Sequence, residues 1–150
     1  MSPALAPNSE WQRIWFAMRQ HTWTSLALVP SHAAIDVVKV AEMLVATGRL
    51  QGERPVDMVN ATGIQLASVQ QVIDALTALA DRGTSTIVPV DPILDNPSAI
   101  AIVQAASMAL LVVRLGESLI GTAQNSLDLV GRAHFIGSIV VDGSRNTIVG

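Results

Sequence analysis

Residues 25–44 read Ser25-Leu-Ala-Leu-Val-Pro-Ser-His-Ala-Ala-Ile-Asp-Val-Val-Lys-Val-Ala-Glu-Met-Leu44. The first five residues are an apolar run of strand length. The second part is apolar nearly all round, with Asp36, Lys39 and Glu42 as its only charged stripe, a helical pattern expected over about Ala33 to Thr47. A strand that passes through a short loop into a helix is the unit of a parallel α/β sheet. The loop between them, Pro30 to Asp36, contains no glycine and no Gly-Lys-Ser/Thr. A phosphate cradle needs small residues whose backbone N–H groups point inward, and a lysine that meets the terminal phosphates. Here Pro30 removes one N–H. Asp36 brings a carboxylate to the helix N-terminus, where it suits the helix dipole and repels a phosphate. Lys39 lies about one turn further in. The loop reads either as the start of a helix that caps itself or as an unusual anion site on Ser31, His32 and Asp36.

The same unit recurs along the chain. Apolar strand candidates fall at Ser25–Val29, Val56–Asn60, Thr86–Val90, Ala109–Val113 and Ile136–Val141. Helical patterns separate them at about Ala33 to Thr47, Leu66 to Asp81, Pro97 to Ala106 and Glu117 to Arg132. In the second, Leu66, Val69, Val72, Ile73, Leu76 and Leu79 share one face. Strands without polar alternation, alternating with helices, indicate a parallel sheet covered on both faces. The expected fold is therefore α/β, a three-layer sandwich around a mainly parallel five-stranded sheet. Gly48, Gly83 and Gly131 fall where helix C-caps belong, and an irregularity is expected at Pro89, which has no ladder donor. The polar, weakly apolar end from Gly143 to Gly150 is expected to fray.

Before the first strand, Met1 to Asn8 reads as a flexible tail, and Ser9 can cap a helix over residues 9–21. Its apolar residues Trp11, Ile14, Trp15 and Met18 repeat at three and four and make one sticky face. That face either packs on the domain itself or docks a partner. Residues 9–150 are expected to form one α/β domain.

Composition narrows the function classes. With 150 residues, half of them hydrophobic, the chain is long enough to bury a sizeable core. A net charge of −3, with no block of Lys or Arg, argues against nucleic acid as a partner. The absence of cysteine removes disulfides, thiol nucleophiles and Cys-based metal sites. No signal peptide is visible at the N-terminus. The uncharged stretch Asn96 to Val113 has the length of a membrane span, but its polar residues and strand-like second half read better as a buried helix followed by a buried strand.

In a parallel sheet of this kind, ligands bind beyond the carboxyl ends of the strands. Those ends are Pro30-Ser31-His32, Asn60-Ala61-Thr62, Asp91-Pro92, Arg114 and Asp142. Asp91 closes Thr86-Ile-Val-Pro-Val-Asp, where a carboxylate that holds Mg²⁺ sits in a nucleotide hydrolase. It is equally readable as structural, and Asp95 is expected to cap the helix near Pro97. Ser31 and His32 are neighbours without a Gly-x-Ser-x-Gly elbow, which argues against nucleophilic catalysis. His21, His32 and His134 have no metal-ligand spacing.

Several stretches together resemble a known family. Ser25-Leu-Ala-Leu-Val-Pro-Ser with its Ala-rich helix is similar to the first strand and helix of MinD/ParA-like P-loop ATPases, closest to the bacterial tyrosine kinases of capsule and exopolysaccharide synthesis. Thr86-Ile-Val-Pro-Val-Asp-Pro resembles their Walker B strand. Ala105-Ala-Ser-Met-Ala-Leu-Leu-Val-Val-Arg-Leu-Gly-Glu-Ser and Phe135-Ile-Gly-Ser-Ile-Val-Val resemble their last two core strands. The resemblance implies a first strand lying between the third and the fourth. Position by position, only Asp91 matches the nucleotide machinery: Ser31 to Asp36 lack the Walker A lysine, and Asn60 stands where a second acidic residue belongs. With no tyrosine in the chain, autophosphorylation on tyrosine is excluded.

What the resemblance implies is a catalytically inactive pseudo-kinase or pseudo-ATPase scaffold or regulator in bacterial exopolysaccharide synthesis or export, with no cofactor. It further implies a protein partner such as a membrane polysaccharide-export component, self-association into a homo-oligomer, and a cytoplasmic location at the inner membrane. The alternatives are a divergent NTPase with an unorthodox phosphate loop, and an unrelated flavodoxin-like binding domain.

Overall fold

The computed structural model describes residues 9–114, 120–141 and 146–149; the expected tail over residues 1–8 lies outside them. Five helices and six strands follow in the order α1 (Ser9–Arg19), β1 (Ser25–Pro30), α2 (Val37–Gln51), β2 (Val56–Met58), α3 (Val69–Asp81), β3 (Ser85–Pro89), α4 (Ser98–Ala105), β4 (Met108–Arg114), α5 (Ile120–Val130), β5 (Phe135–Val141) and β6 (Asn146–Val149). All five expected strands are present, and Asn96 to Val113 divides into α4 and β4 as expected. No helix among the described residues is long and apolar enough to cross a membrane.

The strands form one sheet in the order β2-β3-β1-β4-β5-β6. Pairing from β2 through β5 is parallel, and β6 runs antiparallel to β5. β1 thus sits between β3 and β4, the place the resemblance implies. This order overturns the flavodoxin-like alternative, in which the first strand lies between the second and the third. The sixth strand was not expected: the end of the chain, read as frayed, pairs over Ser138↔Val149 to Val141↔Asn146.

Handedness decides the layers. The β1-to-β2 connection runs one way across the sheet, and the next three run the other way. Right-handed crossovers therefore send α2 to one face and α3, α4 and α5 to the other. Burial follows this division. Leu26, Leu28, Ile87, Leu110 and Val112 pack with α1 and α2, whereas Ala27, Val29, Val88, Ala109 and Leu111 pack with α3 and α4. Both faces of β1 and β3 are buried along their whole length, which is why they read as continuous apolar runs.

With a single crossover helix on its face, α2 covers β1, β2 and β3, and α1 closes the rest by packing on α2 and β6. This corrects the docking face proposed for α1. Trp11, Ile14, Trp15 and Met18 are all buried, at 4%, 1%, 2% and 0% exposure, because they are the cover of that half of the sheet. Gly48 is the seat for Trp15. It is an interior residue of α2 rather than its cap, and a Cβ there would stand 2.5 Å from the indole Cη2. Trp23 meets Trp15 edge-on at 6.0 Å and donates its indole N–H to the Met18 carbonyl at 3.0 Å.

The helix ends show where local chemistry overrode periodicity. α2 runs on past Gly48 and stops at Gly52, at φ 71°. α3 ends as the sequence suggests. Gly83 stands at φ 77°, its N–H donates to the Ala80 carbonyl, and the Thr84 N–H donates to the Leu79 carbonyl. The irregularity expected at Pro89 takes the form of a short β2. The rung that a Pro89 N–H would make is missing and β2 stops at Met58; the Val59 N–H still donates to the Ile87 carbonyl at 3.0 Å, and the Ala61↔Val90 bridge follows.

Candidate functional site

Five parallel strands bring their carboxyl ends to one rim. The connections leaving β1 and β3, neighbours in the sheet, depart to opposite faces there, so the rim has its crevice beside β1. Ser31, His32 and Asp36 lie in the loop after β1, and Asp91 lies just past the end of β3.

The loop after β1 is closed on itself. The Ser31 N–H extends the ladder to the Val112 carbonyl at 2.9 Å, so the side chain is carried down into the sheet, with the residue 1% exposed. His32 Nδ1 accepts from the Ala34 N–H at 3.3 Å, and the Ile35 N–H donates back to the His32 carbonyl at 3.4 Å. α2 begins four residues later than its periodicity suggests because this turn consumes the intervening chain. Asp36 is its N-cap: Oδ1 accepts from the Lys39 N–H at 3.1 Å, and the Val40 N–H donates to the Asp36 carbonyl at 3.3 Å. Asp36 and Lys39 are both exposed. Arg114, at the end of β4, donates to the Ala34 carbonyl at 3.4 Å. Two buried polar atoms in this loop have no hydrogen-bond partner, Ser31 Oγ and His32 Nε2.

Asp91 turns to the other side of the rim. Its Oδ2 accepts from the Gly63 N–H at 2.7 Å and from Asn96 Nδ2 at 2.9 Å. Asn96 also donates to the Ile64 carbonyl at 3.0 Å, and its Oδ1 accepts from the Ser98 N–H at 3.2 Å at the start of α4. Asn96 therefore does the work expected of Asp95, which is exposed. Asn60 closes a turn of its own, with Oδ1 accepting from the Thr62 N–H at 3.0 Å and from its hydroxyl at 2.6 Å.

The rim therefore gathers Ser31, His32, Asp36 and Asp91 on neighbouring strand ends, but the hydrogen bonds of Asp91 run to the β2–α3 and β3–α4 loops. Gly63 and Asn96 were not picked out from sequence. The available signal was the Asn-Pro-Ser run, an amide ahead of a proline at a helix start. Among the described residues no group of three or more His, Asp or Glu could hold a metal ion. Away from the rim, an open groove of about 400 Å³ lies between α2 and the edge strand β2, lined by Glu42, Val45, Ala46, Arg49, Asp57 and Met58.

No protein-family model and no curated protein matches the sequence. A solved structure does: the kinase domain of the Escherichia coli tyrosine kinase ETK has a TM-score of 0.66 against this chain, covering 86% of this chain and 71% of that one, with 14% of residues identical. At this identity the likeness shows the fold alone, an α/β three-layer sandwich shared with that domain.

Proposed function

We propose that this chain is a catalytically inactive scaffold or regulator built on a bacterial-tyrosine-kinase-like fold, a pseudo-kinase or pseudo-ATPase that works by binding other proteins. The observation that carries this reading is the loop after β1. Asp36 spends its carboxylate on the first turn of α2, and neither glycine nor lysine stands where a phosphate cradle needs them. Phosphoryl transfer relies almost wholly on positioning and on stabilising phosphate charge. A helix N-terminus already satisfied by a carboxylate opposes both. The fold likeness and the sequence resemblance support a place in exopolysaccharide synthesis or export. There the partner is a membrane component of the export system, met at the cytoplasmic side, with self-association as a further consequence. Titration calorimetry with ATP and Mg²⁺ tests the reading: no heat of binding is expected at micromolar protein. Micromolar affinity that disappears in Asp91→Ala would sink it.

The second reading, a divergent NTPase, is favoured by the two unpartnered atoms Ser31 Oγ and His32 Nε2, since buried polar groups normally find partners. It predicts ATP turnover above background that Ser31→Ala abolishes. Absence of turnover in every oligomeric state removes it.

A further inference from the structure

In nucleotide hydrolases a carboxylate at such a strand end holds Mg²⁺, and by the sequence resemblance Asp91 is the residue at that position. We infer that Asp91 is an anchor for two loops and not a cation ligand, an inference that rests on the binding-only reading above.

The donor set does not fit a cation. Mg²⁺ takes near-octahedral oxygen coordination, yet what faces Asp91 Oδ2 is two N–H groups, from Gly63 at 2.7 Å and Asn96 at 2.9 Å. Hydrogen bonds to a carboxylate are shorter and stronger than neutral ones, and both must break before a metal takes Oδ2, which leaves Oδ1 as the one oxygen Asp91 could offer. Asn96 cannot swing its oxygen round to help. Its NH₂ group serves two acceptors, Asp91 and the Ile64 carbonyl, while its oxygen serves the Ser98 N–H. Reversing the amide would set oxygen against oxygen twice and N–H against N–H once. The second oxygen ligand that Asn60 could offer is closed on Thr62.

The anchor has a structural reason to exist at this place. Pro89 removes a rung between β2 and β3, so beyond Met58 the two chains are joined by the Val59 N–H to the Ile87 carbonyl at 3.0 Å and by the Ala61↔Val90 bridge. The clasp Gly63–Asp91–Asn96–Ile64 ties the loop after β2 to the loop after β3 where the ladder thins, and Asn96 passes the connection on to the first turn of α4. The charge of Asp91 serves here to hold the rim in one shape, which suits a surface read by a partner.

Amide hydrogen exchange followed by NMR on the whole chain tests this. Asp91→Ala is expected to speed exchange of the Gly63 N–H by about tenfold or more, the loss of one charge-assisted bond, with the Leu28 amide in β1 unchanged. Asp91→Asn, which keeps an acceptor oxygen and the shape, is expected to give a smaller acceleration and covers the case in which the alanine variant does not fold. Millimolar MnCl₂ is expected to leave the Gly63 amide and the Asn96 side-chain signal as sharp as signals elsewhere. Selective broadening of either by manganese overturns the inference, and so does Gly63 exchange that neither variant accelerates. ATP capture without manganese at Gly63 would remove the binding-only function and leave the anchor standing. Manganese capture without ATP would do the reverse.

Discussion

Replacing Gly48 by alanine sets two well-measured effects against each other. Gly48 is an interior residue of α2 with ordinary helical backbone, absent from the positive-φ glycines. On propensity alone an alanine there stabilises the helix by about 1 kcal/mol. The seat of Trp15 reverses the sign. The new Cβ would stand 2.5, 2.7 and 2.9 Å from three atoms of the indole's outer ring. That ring cannot yield cheaply: Trp15 is 2% exposed, and Trp23 meets it edge-on while tied to the Met18 carbonyl. Overpacking of a filled core costs about 1–3 kcal/mol. If the indole is expelled instead, the loss approaches the ~3–5 kcal/mol of a buried tryptophan truncation. After the propensity gain is subtracted, a net destabilisation of about 0–2 kcal/mol follows if the ring stays seated and about 2–4 kcal/mol if it is expelled. Urea unfolding followed by tryptophan fluorescence measures it as a fall in midpoint at unchanged slope. The cause is isolated by a double-mutant cycle. In a Trp15→Leu background the same Gly48→Ala change should turn neutral or stabilising, a coupling of about 1–3 kcal/mol. A Gly48→Ala protein more stable than the parent, or an effect of the same size in both backgrounds, would refute the reasoning.

Three further changes probe other parts of the structure. Asp36→Ala removes the side-chain cap of α2 and should cost about 1 kcal/mol in urea unfolding; calorimetry should show no ATP affinity gained, since the lysine remains absent. Thr86→Val replaces a buried hydroxyl that has no partner by a methyl of the same shape, and thermal unfolding should show a stabilisation of about 1 kcal/mol. Ser107→Ala removes a hydroxyl that accepts from the Thr24 and Ser25 N–H groups and donates to the Ser25 carbonyl. It should cost about 1–3 kcal/mol, with faster hydrogen exchange at Thr24 and Ser25 as its local signature.

What could be read from the chain beforehand follows from what each signal measures. Strand existence was legible because β1, β3 and the middle of β4 are central and buried on both faces, so each carries an apolar run without polar alternation. β6 was not, since its four residues, Asn146–Val149, carry no such run and owe their conformation to pairing with β5. Gly48 misled for a related reason. A glycine near the end of a periodic segment reads as a cap, and only the packing partner shows that it is there for Trp15 and that Gly52 is the stop. At the rim, the position of Asp91 was legible from the strand that delivers it, but its partners were not. A carboxylate's role is set by what faces it, and Gly63 lies 28 residues away in sequence.

The same distinction bears on the sticky helix. Periodicity showed that Trp11, Ile14, Trp15 and Met18 share a face, and could not say what covers it. Topology answers that. One crossover runs against three, so handedness leaves one face of the sheet with a single helix, and half of that face needs another cover. Among the described helices the one ahead of β1 is free to reach it, because every later helix is committed by its own crossover. α1 is therefore part of the core, and the partner contacts of the proposed function would lie on surfaces that this closure leaves outside. Phe16, 53% exposed on the outer side of α1, and Leu50, 71% exposed near the end of α2, belong to that outside, as does the rim held by Asp91. A domain with its core closed this way tolerates changes at its exposed residues without loss of fold, whereas any change at Trp15 or Gly48 reaches the whole domain.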